Sequence, residues 1–177
     1  MNMQDHMVTP KFLTEELAKF AIETVSTAMM ETPPMGDLLK RQTYHIVILV
    51  PAMKDDREAN FPDWPNYPLV PHVLYEHSVG DRADWTAKYD EVARCKALQL
   101  WHGRNDDRTD IIPHLLFPGD APFYGGVYRQ GIVVTCSGVQ PWFDKMIAGM
   151  VADMIIGLAY NVWMASEDKK SGASWLT

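Results

Sequence analysis

The spacing of apolar residues near the start of the chain predicts a helix over about residues 14–31. Thr14 can cap its first turn, because threonine readily accepts a hydrogen bond from a backbone N–H at a helix start. The segment Thr32-Pro33-Pro34 ends the pattern, since proline cannot continue a helix. The apolar positions of this helix recur at helical spacing: Leu17, Phe20, Ala21, Val25 and Ala28. We interpret them as the face that packs on the core.

Four later segments have the pattern of β-strands. They are rich in apolar and β-branched residues and are bounded by turn residues: Tyr44–Val50, His72–Val79, Gly126–Arg129 and Ile132–Cys136. Gln130-Gly131 separates the last two segments, and such a short connection is typical of a tight hairpin. Tyr44–Val50 has no polar residue except His45, so we expect it at the centre of a sheet.

Two further helices complete the pattern. One is predicted from about Thr86 to Trp101, with Gly103 after it as a stop signal. Its expected buried residues share one face: Val92, Ala93, Ala97, Leu100 and Trp101. The other begins near Pro141 and Asp144, because a proline in the first turn and an acid near the helix start are both favoured.

The last helix contains an apolar stretch, Met146–Ala165, that is long enough to be compared with a membrane span. Asp153 near its centre would cost about 2.5–3.5 kcal/mol in a bilayer. Small and polar residues recur at every fourth position: Lys145, Gly149, Asp153, Gly157 and Asn161. The other side is apolar: Met146, Ile147, Met150, Val151, Met154, Ile155, Leu158 and Val162. We interpret an amphipathic core helix with no membrane partner, in which Met150, Met154 and Leu158 face the sheet and the small stripe faces a close neighbour or solvent.

The predicted element order is α-β-β-α-β-β-α. Hairpins on both sides of a helix indicate a mainly antiparallel sheet covered by helices, which is an α+β fold. We expect one domain over residues 1–177, with a proline-rich insertion at about 53–71 and a polar C-terminal tail at about 166–177. Prolines occupy every third position of the insertion, as in a polyproline II helix: Pro62, Pro65, Pro68 and Pro71. We expect an extended segment, with Trp64 and Tyr67 covering a ligand pocket or another subunit, or else pinning the loop to its own domain.

The composition is that of an acidic folded protein, with 47% hydrophobic residues, 22% charged residues and a net charge of -7. An acidic surface repels phosphate backbones, so we expect no nucleic acid partner. The two cysteines, Cys95 and Cys136, are too few for a disulfide framework and fit a reducing compartment. The N-terminal residues lack the basic start and apolar run of a secretory signal, so we expect a cytoplasmic location.

Short motifs follow one another in the second half of the chain: Tyr89–Ala97, Gly125-Gly126-Val127, Gly131–Gly138, and Asp144 at the start of an Ala- and Met-rich helix. In this order and spacing they resemble the GlcG/HbpS heme-binding (heme-degrading) family, which includes the C-terminal domains of PduO-type proteins. The resemblance is best over Tyr89–Ala165. It implies a profilin-like antiparallel sheet with covering helices, homo-oligomers and, in some members, the binding or slow degradation of heme.

The chain departs from that family at two points. The insertion Met53–Pro71 replaces a tight turn, and Tyr128 stands where a proline often follows the glycine pair. Heme ligation varies among the family's members, so the resemblance assigns no axial ligand here. The fold therefore transfers better than the chemistry.

The glycine pair Gly125-Gly126, beside Tyr124, is the first candidate for ligand binding. Without side chains, its backbone amides can approach a ligand carboxylate. Alternatively, a strained strand start or bulge requires glycine for its backbone angles alone. Lys96 has two readings as well, since a lysine in mid-helix can steer an anionic ligand or extend along the surface to solvent.

His102 and His114 are candidates to reach a pocket near the glycine pair. A histidine at a helix C-terminus is also stabilised by the helix dipole, which explains His102 without a ligand. Single loop histidines such as His114 are mostly solvated. The histidines lack the spacing of a zinc site, so we expect no bound metal ion.

These residues support three hypotheses about function. The leading one is a small-ligand binding protein of the GlcG/HbpS type, with heme as cofactor or a related anionic small molecule as ligand. The second is a tautomerase- or isomerase-like catabolic enzyme that transfers protons with Lys96, Tyr124 or Asp144. The third is a structural oligomer without a ligand.

Overall fold

The fold is known from a computed structural model, which describes residues 7–54, 68–105, 112–172 and 174–176. The strands in these ranges are β1 (Met7–Val8), β2 (Tyr44–Lys54), β3 (Val70–Val79), β4 (Gly126–Arg129) and β5 (Ile132–Ser137). The helices are α1 (Glu15–Glu31), α2 (Met35–Leu38), α3 (Tyr89–Trp101), α4 (Pro141–Ala165) and α5 (Glu167–Ser171). Single 3-10 turns lie at Arg82–Asp84 and Pro113–Leu115. The predicted order of long elements is present, with the short β1, α2 and α5 in addition.

All the strand pairs are antiparallel. β2 lies between β3 and β5, β4 pairs with the far side of β5, and β1 pairs with the last residues of β2. The register places His45 of β2 opposite Ser78 of β3 and Ser137 of β5. Over the residues that the structure describes, the fold is therefore α+β with a five-stranded antiparallel sheet, and β2 is central as its apolar sequence predicts.

The two faces of the sheet carry separate cores. Ile46, Ile48 and Val50 of β2 point into the larger core, which α1 and α4 cover. Val47 and Leu49 alternate with them and point to the opposite face, where α3 packs. The sheet is thus a middle layer between α1 and α4 on one side and α3 on the other.

The hairpin between β4 and β5 is confirmed at the predicted residues. Gln130 and Gly131 both have positive φ, 45° and 91°, which is the backbone conformation of a type I′ turn. Arg129 and Ile132 form the last pair before this turn. The turn therefore fixes which β4 residues point toward α4.

The predicted bounds of the first helix are confirmed by α1. Thr14 caps it, since Thr14 Oγ1 accepts a hydrogen bond from the backbone N–H of Leu17 at 3.3 Å. The predicted core face is partly wrong, because Phe20 is 55% exposed and Ala28 is also exposed. The apolar residues that are buried form a stripe centred one step further round the helix: Ala18, Ala21, Ile22, Val25 and Met29. Leu17 and Ala28 lie at the margin of that stripe and Phe20 lies on the far side of the helix, so the predicted set mixed core and outer positions.

The strands beside the insertion are longer than predicted. β2 continues through Pro51 to Lys54, and Pro71 lies in β3 directly opposite Pro51. Pro71 is therefore in a strand pair, and its assignment to an extended polyproline segment is wrong. Pro68 is exposed and lies just before β3, outside any strand. The other residues of that prediction, Pro62, Trp64, Pro65 and Tyr67, fall within residues 55–67, outside the described ranges.

The C-terminal tail is anchored to the domain. Ser166 is the N-cap of helix α5, and its side chain accepts a hydrogen bond from the backbone N–H of Lys169. Asp168 is buried and forms an ion pair with Lys11. Phe12 meets Trp163 edge to face, with ring centroids 5.5 Å apart. The tail is thus polar in sequence, and part of it is a helix docked on the N-terminal segment.

Candidate functional site

Helix α4 buries one side and leaves apolar residues on the other. Its buried apolar stripe packs against the sheet: Ile147, Ala148, Val151, Ala152 and Ile155. Trp142, Met146 and Met150 are 57%, 36% and 40% exposed. The prediction that Met150 faces the sheet is therefore wrong, while Met154 and Leu158 pack partly buried against the core. The error arises because α4 is apolar around most of its circumference, so the sequence period does not single out one face.

A groove of about 380 Å³ runs between β4 and α4 and is open to solvent. Two β4 residues form one wall, Val127 and Arg129. Six α4 residues form the rest: Trp142, Lys145, Met146, Gly149, Met150 and Asp153. A Cβ atom added at Gly149 would lie 3.8 Å from both Val127 Cγ1 and Arg129 Nη2. The missing side chain of this glycine, which is itself buried, therefore leaves room between the helix and the strand.

Charges flank the apolar part of the groove. Arg129 and Lys145 are cations, and Asp153 is the one carboxylate among the eight lining residues. Arg129 Nε lies 3.5 Å from Asp153 Oδ1, and the Asp153 side chain is 68% exposed. An exposed pair of this kind is weak. The groove thus combines a hydrophobic wall with a net positive edge, an arrangement that suits a ligand with an apolar body and acidic groups.

Lys96 and Asp144 form a buried ion pair at the end of the sheet where β4 begins and β5 ends. Lys96 Nζ lies 3.3 Å from Asp144 Oδ2 and donates a hydrogen bond to the Cys136 carbonyl at 3.0 Å. The two side chains are 2% and 4% exposed, so Lys96 does not extend to solvent as one reading supposed. Burial raises the pKa of Asp144 above its ordinary value of 3.8, against the lowering influence of Lys96 and of the Val139 backbone N–H.

The glycine pair packs directly on this ion pair. Gly125 has φ of 137°, and a Cβ atom there would lie 2.6 Å from Asp144 Cβ and 2.9 Å from Lys96 Nζ. At Gly126 an added Cβ would lie 2.6 Å from Leu100 Cδ1 and 2.9 Å from the Val134 carbonyl oxygen. Atoms of the chain itself fill the space beside both glycines. This favours the interpretation that glycine is required here for the backbone conformation and close packing, and not for contact with a ligand.

The ion pair also positions the groove. Val127 follows Gly126 in β4, and Lys145 follows Asp144 in α4. The ion pair joins the start of α4 to α3, and Gly125, directly before β4, packs against it, so the starts of the two elements that wall the groove lie beside the same buried unit.

The remaining predicted site residues lie apart from this unit. His102 is the exposed C-cap of α3, His114 is exposed in the 3-10 turn Pro113–Leu115, and Tyr124 is half-buried just before Gly125. None of the six predicted ligand residues is among the described residues that line the groove. Sequence reasoning missed the groove because its polar members, Arg129 and Lys145, come from two elements whose contact is set by the tertiary structure.

A second polar cluster lies on the α3 side of the sheet. His45 is 4% exposed, and its Nδ1 lies 2.9 Å from Ser78 Oγ. Its Nε2 lies 3.5 Å from Glu76 Oε2, and Arg94 holds that carboxylate through two hydrogen bonds of 2.8 and 2.7 Å. Burial lowers the pKa of His45 below its ordinary value of 6.5, against the raising influence of Glu76. These contacts tie β2, β3 and α3 together.

Two further features concern a possible metal site and a possible membrane-spanning helix. Within the described ranges, no group of three or more His, Cys, Asp and Glu side chains is arranged to hold a metal ion. In the same part of the chain, α4 is long and apolar enough to cross a membrane by length and composition, and about a third of its most apolar stretch is buried. A core helix passes that test as well, and the buried stripe of α4 faces its own sheet.

Compared with known proteins, the chain matches no family model, no curated protein and no solved structure. The resemblance to the GlcG/HbpS family thus stays a prediction that rests on the motif residues. Three of those residues, Lys96, Gly125 and Asp144, meet in the buried unit described above.

Proposed function

We propose that this protein binds heme, or a closely related amphipathic anion, in the groove between β4 and α4. The observation that carries the proposal is an apolar wall with two cations beside it in one open groove. Trp142, Met146 and Met150 offer an apolar surface for a porphyrin face, and Arg129 and Lys145 place positive charge at the edge of that surface. Small-molecule sites commonly combine apolar walls with a few polar groups that fix orientation.

The residue types that line the groove suit the two parts of a porphyrin, its apolar rings and its carboxylates. A porphyrin buries its rings against apolar and aromatic side chains, and guanidinium and ammonium groups pair with carboxylates. When bound, heme would supply an iron centre with redox and ligand-binding chemistry. The chain's own residues would hold the rings on the α4 wall and orient the carboxylates toward Arg129 and Lys145.

The resemblance to the GlcG/HbpS family supports the same ligand class and a profilin-like fold. The proposal moves the site away from the glycine pair, which was a candidate because its missing side chains expose backbone amides, since the chain fills the space beside Gly125 and Gly126. The proton-transfer alternative is less favoured, because Lys96 and Asp144 are almost fully buried and bind each other.

Titration of the protein with hemin, followed by the Soret band, tests the proposal. We expect saturable binding that weakens with salt, because exposed charges attract a carboxylate ligand and salt screens them. Replacing Arg129 and Lys145 together by serine should weaken hemin binding by about tenfold or more, which corresponds to about 1.4 kcal/mol of binding free energy. The double variant should also lose most of the salt dependence of binding.

The matched control replaces Lys19 and Lys88 by serine, which also removes two exposed positive charges but changes residues on α1 and before α3. Its hemin affinity should equal that of the wild type. Equal weakening in both double variants would show that overall charge, not the groove, attracts hemin. Light scattering on each sample shows whether a second copy of the chain covers the groove instead.

A further inference from the structure

Helix α4 carries a long apolar face that points away from its own sheet. Five large hydrophobic side chains lie on this face and are between 36% and 64% exposed: Trp142, Met146, Met150, Tyr160 and Met164. At 3.6 residues per turn they fall within a sector of about 80° and span about 33 Å of helix. The buried stripe of α4 lies on the opposite side. Exposed apolar surface of this extent is typical of an interaction site.

The charges on this face favour a second copy of the chain over a membrane surface. The chain has a net charge of -7, and Asp153 lies in the middle of the face with its side chain 68% exposed. The anionic headgroups of a membrane would repel both. Between two copies, a parallel pair of α4 helices would place the two Asp153 side chains opposite each other, and like charges in that position are unfavourable. An antiparallel pair avoids this contact.

We propose that two copies of the protein pair through this face of α4, with the helices antiparallel and a two-fold axis between Asp153 and Gly157. In that register Asp153 of each copy faces Gly157 of the other. A Cβ atom added at Gly157 would meet no heavy atom within 4 Å, so the space there is open to a carboxylate. Asp153 also keeps a cation of its own chain, because Arg129 Nε lies 3.5 Å from Asp153 Oδ1. The acid in the middle of the face is thus accommodated.

The large side chains match across the same axis. Met146 faces Met164 of the second copy, Met150 faces Tyr160, and each contact occurs twice because the interface is two-fold symmetric. Five large side chains that are each about half exposed would bury about 500 Å² per copy, or about 1,000 Å² in total. This area is at the lower end for specific complexes, so we expect a reversible dimer with a Kd in the micromolar range.

The dimer goes beyond the proposed function and does not depend on it. The second copy would cover Met146 and Met150, which also line the groove between β4 and α4. At protein concentrations well below the Kd of the dimer the groove is open, so hemin titrations under those conditions measure the monomer. Tyr160 and Met164 do not line the groove, and substitutions there affect the dimer without changing the proposed ligand site.

Analytical ultracentrifugation over a concentration series in the micromolar range tests the inference. We expect the wild type to dimerise reversibly and Tyr160→Glu to raise the Kd of the dimer at least about tenfold, because it places a charge in an apolar contact on both sides of the axis. Val162→Glu is the matched control. Val162 is 40% exposed on the same helix, but it lies about 160° round the helix from the centre of the face. This control should dimerise as the wild type does.

A charge pair tests the register. Met150→Lys alone should weaken the dimer, as Tyr160→Glu does. Combining the two substitutions in one chain places the introduced base of each copy opposite the introduced acid of the other, so the double variant should dimerise more tightly than either single variant. Circular dichroism of each variant confirms that the chain is folded.

Each failure has a distinct result. A wild type that stays monomeric throughout the series overturns the inference, and so does equal weakening by Tyr160→Glu and Val162→Glu. A double variant that dimerises no more tightly than the single variants overturns the antiparallel register. Binding of a monomeric wild type to phosphatidylcholine vesicles, lost in Tyr160→Glu, would assign the face to a membrane instead. A chain that dimerises as expected but does not bind hemin supports this inference and contradicts the proposed function alone.

Discussion

Replacing Lys96 by methionine should lower the free energy of unfolding by about 3–5 kcal/mol, because Asp144 is then left buried without its cation. The Cys136 carbonyl loses its hydrogen-bond donor in the same variant. Methionine has a similar length to lysine and is apolar, so the loss reports the charge rather than a cavity. Urea unfolding followed by circular dichroism measures the change.

The pH dependence of this loss has a definite sign. Burial raises the pKa of Asp144, and Lys96 opposes that rise, so removing Lys96 raises the pKa further. A group whose folded-state pKa is raised stabilises the fold below its unfolded pKa, and that contribution is lost as the pH increases through the folded pKa. The difference between Lys96→Met and the wild type should therefore be largest at neutral pH and shrink toward acid pH.

The control adds Asp144→Leu to Lys96→Met, which removes both charges. Replacing a whole buried ion pair by apolar residues is often close to neutral, so the double variant should recover most of the lost stability. A single variant that loses under about 1 kcal/mol at neutral pH, or a double variant no better than the single, would contradict the assignment of this pair as a strongly coupled buried unit.

The second large effect is expected for Gly125→Ala, which should lower the free energy of unfolding by about 2–6 kcal/mol. Alanine is strained at a φ of 137°, which costs about 1–3 kcal/mol. The added methyl group also lies 2.6 Å from Asp144 Cβ, and overpacking of this kind costs about 1–3 kcal/mol. Chemical denaturation of the purified variant gives the total.

Gly131→Ala separates the two contributions. Gly131 has φ of 91°, also in the region that favours glycine, but an added Cβ there meets no heavy atom within 4 Å. This variant should lose the strain contribution alone and unfold at a clearly higher urea concentration than Gly125→Ala. Equal losses at both positions would show that contact with the ion pair adds nothing at Gly125.

The elements could be predicted because their signals are local. The hairpin follows from Gln130-Gly131 between two apolar segments, and the start of α1 follows from Thr14. The partner of Lys96 could not be predicted, because Asp144 is 48 residues away on another helix and the two meet only after α3 and α4 have packed on the sheet. A lysine in mid-helix carries no sequence signal of burial.

The groove could not be predicted from the sequence for a related reason. Arg129 ends a four-residue strand, and Lys145 lies in the first turns of α4, so neither position stands out in a list of charges. The exposed face of α4, with Trp142 and Met146, is as apolar in sequence as its buried face. Which face meets the sheet depends on the small residues Ala148 and Ala152, and their effect appears only in the packed structure.

Lys96, Gly125 and Asp144 form a buried unit, and two residues close to it in sequence, Val127 in β4 and Lys145 in α4, line the groove. This arrangement separates stability from binding. Substitutions in the ion pair should mainly change the free energy of unfolding. Substitutions of the residues that line the groove should mainly change ligand affinity, in a protein that stays folded.

The most direct test of the central claim compares hemin binding by Gly149→Leu and Gly157→Leu. Both changes replace a glycine in α4 by a better helix former. Because Gly149 is buried and Gly157 is exposed, urea unfolding of both variants first establishes that each is folded. A side chain at Gly149 fills the groove beside Val127 and Arg129, whereas a Cβ at Gly157 meets nothing within 4 Å. We predict that Gly149→Leu binds hemin at least about tenfold more weakly than the wild type while Gly157→Leu binds as the wild type does. Equal hemin affinities in the two variants would contradict the placement of the ligand in this groove.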